Sequence, residues 1–167
     1  MKTQASTPPA LRPLLPADTP VLAAIFQESI EAFTGDDYSE AQQAAWAAMA
    51  EDEAAFGAQL RARLTLVATI EGAPVGFAAL DEPDRIDMLY VHPSAAGQGV
   101  ASALCDALEK LAGARGAARL KVNASDSARG FFEKRGYVAQ DRNTVLYGDE
   151  WLGHTQMEKR LDPRGAP

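Results

Sequence analysis

The stretch Arg85-Ile86-Asp87-Met88-Leu89-Tyr90-Val91-His92-Pro93, continued by Ser94-Ala95-Ala96-Gly97-Gln98-Gly99-Val100-Ala101, decides how the rest of the chain is read. Residues 86–91 form an apolar run interrupted only by Asp87, and His92-Pro93 ends it, since proline cannot donate to a ladder. Two glycines then turn the chain into an Ala/Leu-rich segment in which Val100, Leu104, Ala107, Leu108 and Leu111 recur at helical spacing. The reading is a strand, a tight turn and a helix start. A helix N-terminus leaves backbone N–H groups unpaired and carries partial positive charge, and glycine lets an anion approach closely. Residues 97–101 therefore read as a phosphate seat. The turn holds no Lys or Arg, which excludes the P-loop pattern ending in Gly-Lys-Ser/Thr.

Upstream, residues 10–15 are a short strand candidate, and Thr19-Pro20 marks a helix start with proline just inside. Leu22, Ile25, Phe26, Ile30 and Phe33 recur at helical spacing, and Gly35-Asp36-Asp37 closes that helix. Ser39 with Gln42 three residues later predicts a capping box for an alanine-rich helix containing Trp46 and Met49, and a further helical piece runs to about residue 63. Residues 64–70 and 75–80 read as a hairpin through Glu71-Gly72-Ala73-Pro74. Downstream, the helix ends near residues 113–116, a strand follows at 118–123, and Ser125 or Asp126 caps a short helix through Arg135. Residues 137–147 and 151–161 are two strands around Gly148-Asp149. The predicted order is β-α-α-β-β-β-α-β-α-β-β. Strands 86–91 and 118–123, joined by a helical crossover, should be parallel in a mixed sheet.

Composition narrows the class. A chain of 167 residues, 47% apolar, suits one domain with a substantial core, expected over residues 10–161 with disordered ends at 1–9 and 162–167. Cys105 is the single cysteine, so no intramolecular disulfide framework exists, and two isolated histidines do not suggest a metal site. No apolar run approaches the ~18 residues a membrane span needs, so the expectation is a soluble, cytoplasmic protein. The net charge of −7 is uneven: residues 1–60 hold nine acids and two bases, whereas residues 110–142 hold eight bases and three acids. A basic zone beside a phosphate seat suits an anionic cofactor, or is an ordinary solvated face. The acidic total disfavours nucleic acid.

The element order, Val91-x-Pro93 ahead of Gly97-Gln98-Gly99-Val100-Ala101, and Ala128-x-x-x-Phe132-x-x-x-Gly136-Tyr137 together resemble the GNAT superfamily of N-acetyltransferases. The resemblance implies an α/β fold, a mixed sheet whose parallel central strands splay apart, with helices on both faces. It also implies acetyl-CoA as co-substrate, and with the isolated histidines no metal is expected. Backbone amides of Gly97, Gln98, Gly99, Val100 and Ala101 would hold the pyrophosphate, and the strand edge at Leu89, Tyr90 and Val91 would pair with the pantetheine arm. Asn123, Ser125, Phe132 and Lys134 complete the implied cofactor contacts. Three positions depart from the family pattern: Ala96 stands where Arg or Gln is usual, Ser125 replaces a common Asn, and Phe132 takes the place of a tyrosine that protonates the leaving thiolate. A thiol pKa near 8.5 leaves a free thiolate only about 2 kcal/mol uphill at pH 7. Water, Tyr137 or Tyr147 could then supply the proton.

Acetylation of an amine requires the ammonium to lose a proton before attack. Asp87 is the candidate base, because a carboxylate inside a central apolar strand is costly unless hydrogen-bonded or functional. On simple alternation it shares a face with Leu89 and Val91. A purely structural carboxylate is the alternative. Cys105 reads as a small buried residue, His92 as turn chemistry, and His154 as a strand histidine or one facing an acceptor groove. Trp46, Trp151, Phe131 and Phe132 read as core or pocket walls. Glu28, Glu31, Asp36, Asp37 and Glu40, with Tyr38, gather near one helix junction and would favour a cationic acceptor, unless they form only a solubilising face. The expected activity is direct acetyl transfer from acetyl-CoA to a primary amine in a ternary complex. The alternatives are a non-catalytic acetyl-CoA sensor and a nucleotide-phosphate binder of another fold.

Overall fold

The computed structural model describes residues 8–161, so the expected disordered ends, apart from Pro8 and Pro9, lie outside it. The elements are β1 (Ala10–Pro13), α1 (Thr19–Phe33), α2 (Glu40–Ala47), α3 (Glu53–Arg61), β2 (Leu64–Ile70), β3 (Ala73–Asp81), β4 (Arg85–Val91), α4 (Val100–Ala114), β5 (Arg119–Ser125), α5 (Arg129–Lys134), β6 (Val138–Tyr147) and β7 (Glu150–Arg160). The predicted order omits one helix. After a short 3-10 turn at Ala48–Ala50, Asp52 accepts the Ala55 N–H at 3.1 Å and starts α3 as a separate element. At α2 the capping box is reciprocal, with Ser39 Oγ accepting from Gln42 N (3.1 Å) and Gln42 Oε1 from Ser39 N (2.8 Å).

The strands make one sheet in the order β1-β2-β3-β4-β5-β7-β6, in which β4 and β5 are the parallel pair and the other neighbours run antiparallel. One edge is β1, ending at Pro13; the other is β6, with an irregularity in its register between Ala139 and Asp141. Helices cover both faces. On one, α1, α2 and α3 bury Phe26, Ile30, Trp46, Phe56 and Leu60 against Val67, Phe77 and Met88. On the other, α4 and α5 bury Leu104, Cys105, Leu108 and Phe132 against Leu80, Ile86, Leu120 and Met157. Trp151 departs from its core or pocket-wall expectation: it is 59% exposed at the start of β7, opposite the exposed Leu146 of β6. Among the described residues no helix is long and apolar enough to cross a membrane, and no group of three or more His, Cys, Asp or Glu could hold a metal ion.

Two polar ties fix the layers. Tyr38, between α1 and α2, is buried; its hydroxyl donates to the Gly153 carbonyl (2.5 Å) and accepts from the Asp126 N–H (2.9 Å). It thereby joins the helix junction to β7 and to the segment after β5, a structural role that composition alone did not reveal. On the other face, Glu109 of α4 accepts from Tyr137 Oη (2.9 Å), Lys159 Nζ (2.9 Å) and Arg135 (3.2 Å). Cys105 donates its S–H to Glu109 at 3.4 Å, and burial pushes its thiol up to about 11, so it remains a buried, protonated group as expected.

Tyr38→Phe leaves a carbonyl and an N–H without their partner, and should lower unfolding free energy by about 1–3 kcal/mol in urea titration. Burial alone would raise the Glu109 carboxyl, but hydrogen bonds from Lys159 and Tyr137 and the charge of Arg135 outweigh it and hold it below the usual range. A depressed carboxyl stabilises the fold above its unfolded pKa of about 4.3, and that contribution is lost as pH falls through the lower folded value. Glu109→Gln should therefore be clearly less stable than the parent at pH 7, with the gap narrowing below about pH 4. Urea titrations at both pH values check this; a constant gap would contradict it.

Candidate active site

The site begins where the sheet parts. Strands β4 and β5 pair at Arg85↔Lys121 and Ile86↔Val122, and beyond these positions they diverge. Each keeps its other neighbour: β4 pairs with β3 as far as Val91↔Gly76, and β5 with β7 as far as Ser125↔His154. His92 N–H donates to the Val75 carbonyl at 2.8 Å. By the alternation of an antiparallel ladder, Tyr90 also turns its backbone groups toward β3, whereas Leu89 and Val91 turn theirs toward the gap.

A bulge sits at the branch point. Leu80 pairs with Ile86 and Ala79 with Met88, so Asp87 is an extra residue in β4. This corrects the face expected for Asp87. The extra residue shifts the phase, so Ile86, Leu89 and Val91 pack on the α4 side while Met88 and Tyr90 pack on the α1 side. The Asp87 carboxylate points to α3 and the segment after it, accepting from Gln59 Nε2 and Arg63 Nε, both at 3.3 Å. It still borders the gap, lining a narrow cavity of about 80 Å³ with Trp46, Tyr90, Asn123 and Ser125.

A larger cavity of about 470 Å³ extends from the glycine turn, along Leu89–Val91 and past Phe131 and Phe132, to Ser29, Ile30, Phe33 and Thr34 of α1 and its C-terminal end. Trp46, Leu89, Tyr90, Ser125, Ala128 and Phe132 line both cavities. At the turn, Gly97 and Gly99 have φ of +76° and +79°, the left-handed region that favours glycine. The first backbone bond of α4 runs from Ala103 N to the Gly99 carbonyl (3.0 Å), so the N–H groups of residues 99–102 precede the helical ladder. No Lys, Arg or His lines either cavity.

The candidates from sequence divide. Leu89, Tyr90, Val91, Gly97, Gly99, Val100, Ala101, Ser125 and Phe132 all border the larger cavity. Gln98 does not; its amide donates to the Ser94 carbonyl at 3.3 Å. Asn123 borders the narrow cavity, but its side-chain amide is committed to reciprocal bonds with Asn143 (3.0 and 2.8 Å). Ser125 Oγ accepts the Ala128 N–H at 3.1 Å in the turn that ends β5, but neither Ser125 nor Asp126 caps the helix as expected: α5 starts after Ala128 with no side-chain cap. Lys134 is exposed in α5 and lines neither cavity.

The hydroxyls near Phe132 are unequal. Phe132 is buried and edge-on to Tyr137, with ring centroids 5.1 Å apart. Tyr137 donates its hydroxyl to Glu109, away from the gap, and burial together with neighbouring Cys105 and Glu109 pushes its pKa well up. That removes it as a ready proton donor to the gap. Tyr147 stacks on Trp46 at 17°, and burial pushes it up to about 12; burial raises Tyr90 as well. Both remain protonated at neutral pH.

The histidines are structural in their contacts. His92 Nδ1 accepts from Ser94 N (3.1 Å), the expected turn chemistry, and its Nε2 lies 3.1 Å from Glu28. His154 is buried among Tyr38, Trp46 and Tyr147, donates from Nδ1 to the Leu152 carbonyl (3.1 Å), and is held neutral because burial lowers its pKa. It lines neither cavity. Glu28, Glu31, Asp36, Asp37 and Glu40 also stay outside both walls. Asp37 reaches the rim, where it accepts from Ser127 Oγ at 2.7 Å and Ser127 lines the larger cavity. The α1 wall is what the sequence did not announce: Phe33 continues the helical spacing of buried Ile30, yet it is 47% exposed and faces the cavity.

Comparison with known proteins accords with this geometry. The family description "Acetyltransferase (GNAT) domain" matches residues 34–161. The chain is 34% identical over 147 residues to YafP of Escherichia coli (strain K12), an uncharacterized N-acetyltransferase, covering 88% of this chain and 93% of the relative. A crystal structure of a GCN5-related N-acetyltransferase (aminotransferase, class-II) from Rhodopseudomonas palustris superposes with a TM-score of 0.93 at 60% identity, covering 96% of this chain and 100% of that one. The fold also matches the paiA N-acetyltransferase of Thermoplasma acidophilum in complex with coenzyme A, with a TM-score of 0.76 at 19% identity over 93% of this chain and 100% of that one. A mixed sheet parted beside a glycine turn, matched along most of its length by these relatives, makes the chain a member of the GNAT acetyltransferase family.

Proposed function

We propose that the protein transfers the acetyl group of acetyl-CoA to a primary amine by direct attack in a ternary complex. The observation that carries this reading is that the cavity from the glycine turn past the free edge of β4 shares six wall residues with the cavity beside Asp87. The coenzyme A complex of the Thermoplasma relative supports the choice of cofactor. The pyrophosphate would sit on the N–H groups of residues 97 and 99–101, where the helix terminus favours an anion and glycine admits it, while the Gln98 N–H donates to the Ala95 carbonyl at 3.3 Å. Ala96 offers no side-chain charge there, so the backbone carries the seat; Lys134, long and exposed, would approach the phosphates from solvent. The pantetheine arm would add to β4 as a strand does, bonding the backbone groups that Leu89 and Val91 turn toward the gap.

At the thioester, the amine nitrogen attacks the carbonyl carbon, charge develops on the carbonyl oxygen, and a backbone N–H of β4 meets it. The C–S bond then breaks and the thiolate leaves. Freeing a lone pair from an alkylammonium of pKa about 10.4 costs about 4–5 kcal/mol at pH 7, which gives a base something to contribute. Asp87 serves as that base. Its carboxylate borders the narrow cavity, whose volume of about 80 Å³ accommodates a bridging water. The amine's proton passes to Asp87 directly or through that water. Phe132 brings no acid and Tyr147 lines neither cavity, so the thiolate takes its proton from solvent, at the modest cost set by its own pKa.

A β-branched residue at a φ of +79° is strained by about 1–2 kcal/mol and obstructs close approach to the turn. Gly99→Val should therefore weaken acetyl-CoA binding roughly tenfold or more in calorimetric titration, with the far-UV circular dichroism unchanged. Equal affinities would move the phosphate seat elsewhere. Asp87→Asn should lower kcat by about 10²–10⁴-fold and flatten the acid limb of the pH–rate profile, leaving acetyl-CoA affinity near that of the parent. Turnover equal to the parent would reduce Asp87 to an anchor for Gln59 and Arg63.

A further inference from the structure

We infer that the acceptor is a monoamine carried on an apolar body, an alkyl or arylalkyl amine, in preference to a polyamine or an amino acid. The inference rests on the acetyl-transfer reading and adds to it the chemistry of the acceptor. From the turn to α1, the walls of the larger cavity hold no charged side chain. The one charged group bordering the narrow cavity, which shares six wall residues with the larger one, is Asp87, where the reacting nitrogen must come. On the α1 and α2 side the larger cavity is walled by Ser29, Ile30, Phe33, Thr34 and Trp46. Ile30 and Trp46 are buried, but Phe33 is 47% exposed and belongs to neither core cluster, so an aromatic face stands open to whatever occupies this side.

That arrangement sorts amines by what lies beyond the nitrogen. A methylene buried against Phe33 and Ile30 is worth about fourfold in affinity. A second ammonium or a carboxylate placed there would be desolvated without a partner, since no ionised side chain of opposite or like sign lines the wall. The exposed acids lie outside: Asp37 at the rim beside Ser127, and Glu31 and Asp36 on the surface. They can attract the protonated head of any amine through solvent, with salt screening the effect over about 8 Å, but they do not solvate a charge inside. A cationic head directed to Asp87 and an apolar body against Phe33 satisfy both regions.

The test is a panel of phenethylamine, hexylamine, spermidine, lysine and glutamate, followed by thiol release at saturating acetyl-CoA in the parent, Phe33→Leu and Phe33→Asp proteins. Acetyl-CoA affinity is measured separately by calorimetry. Expected are kcat/KM values for phenethylamine and hexylamine roughly tenfold or more above those of the other three. Phe33→Leu should preserve that order, and Phe33→Asp should erase it, mainly through KM for the apolar amines. Polyamine, lysine or glutamate used as well as the apolar amines would overturn the inference, as would an order unmoved by Phe33→Asp or a panel in which no apolar amine is acetylated. If acetyl-CoA still binds in these cases, the cofactor reading stands and only the acceptor class falls. A parent protein that fails to bind acetyl-CoA would overturn both.

Discussion

The rest of the site depends on the parting of two parallel strands after only two paired positions, Arg85↔Lys121 and Ile86↔Val122. A sheet that opens in its middle leaves backbone N–H and C=O groups without partners, which is unfavourable in a closed core and tolerable beside a cavity. The opening persists because each half is secured from outside. Strand β4 is held by β3, β5 by β7 through seven residue pairs, and each face has its own helices and core. The Asp87 bulge marks the branch: before it the strands belong to one sheet, and after it β4 presents a free edge.

The same constraint explains where side-chain hydrogen bonds accumulate. With no ladder across the gap, the two halves are joined near it by Tyr38, which bonds both Gly153 and Asp126, and by Asp37 with Ser127. Arg142 pairs with Asp126 and passes close to Gly153, where a Cβ would collide with its guanidinium, so glycine at that position leaves room for the ion pair. On the opposite face, Glu109 gathers Tyr137, Arg135 and Lys159. This holds the end of α5, and with it Phe132, against α4.

Local rules and the pairing of hairpin- and crossover-joined strands were legible in the sequence, and the register of that pairing was not. Gly97 and Gly99 could be read because a positive φ and exposed helix amides are demands of a few consecutive residues. Ser39 and Gln42 could be read because a capping box closes on itself. Asp87 drew attention as a charge in an apolar strand, but its face depended on a bulge, a property of two strands in register rather than of one in isolation. Phe33 was hidden for a related reason: helical spacing marks a side facing inward, and the inward side of α1 passes from core to cavity within one turn after Ile30. Tyr38 stood out only as a neighbour of the acidic cluster, and its tie gave no signal because both partners lie more than 80 residues away.

The two outermost strands carry one more consequence. A sheet with free edges invites another chain to add a strand, and here the exposed sides belong to β1 and β6. Strand β1 is four residues long and ends in Pro13, which offers no donor. Strand β6 is longer and carries exposed Val138, but its ladder is irregular between Ala139 and Asp141, and Asp141 and Arg142 follow directly. Charge and broken register oppose the flat, continuous template that stacking of identical chains requires. The fold thus keeps its open backbone for the interior gap and blunts it at the rim, a division that guards against aggregation while leaving the central edge free.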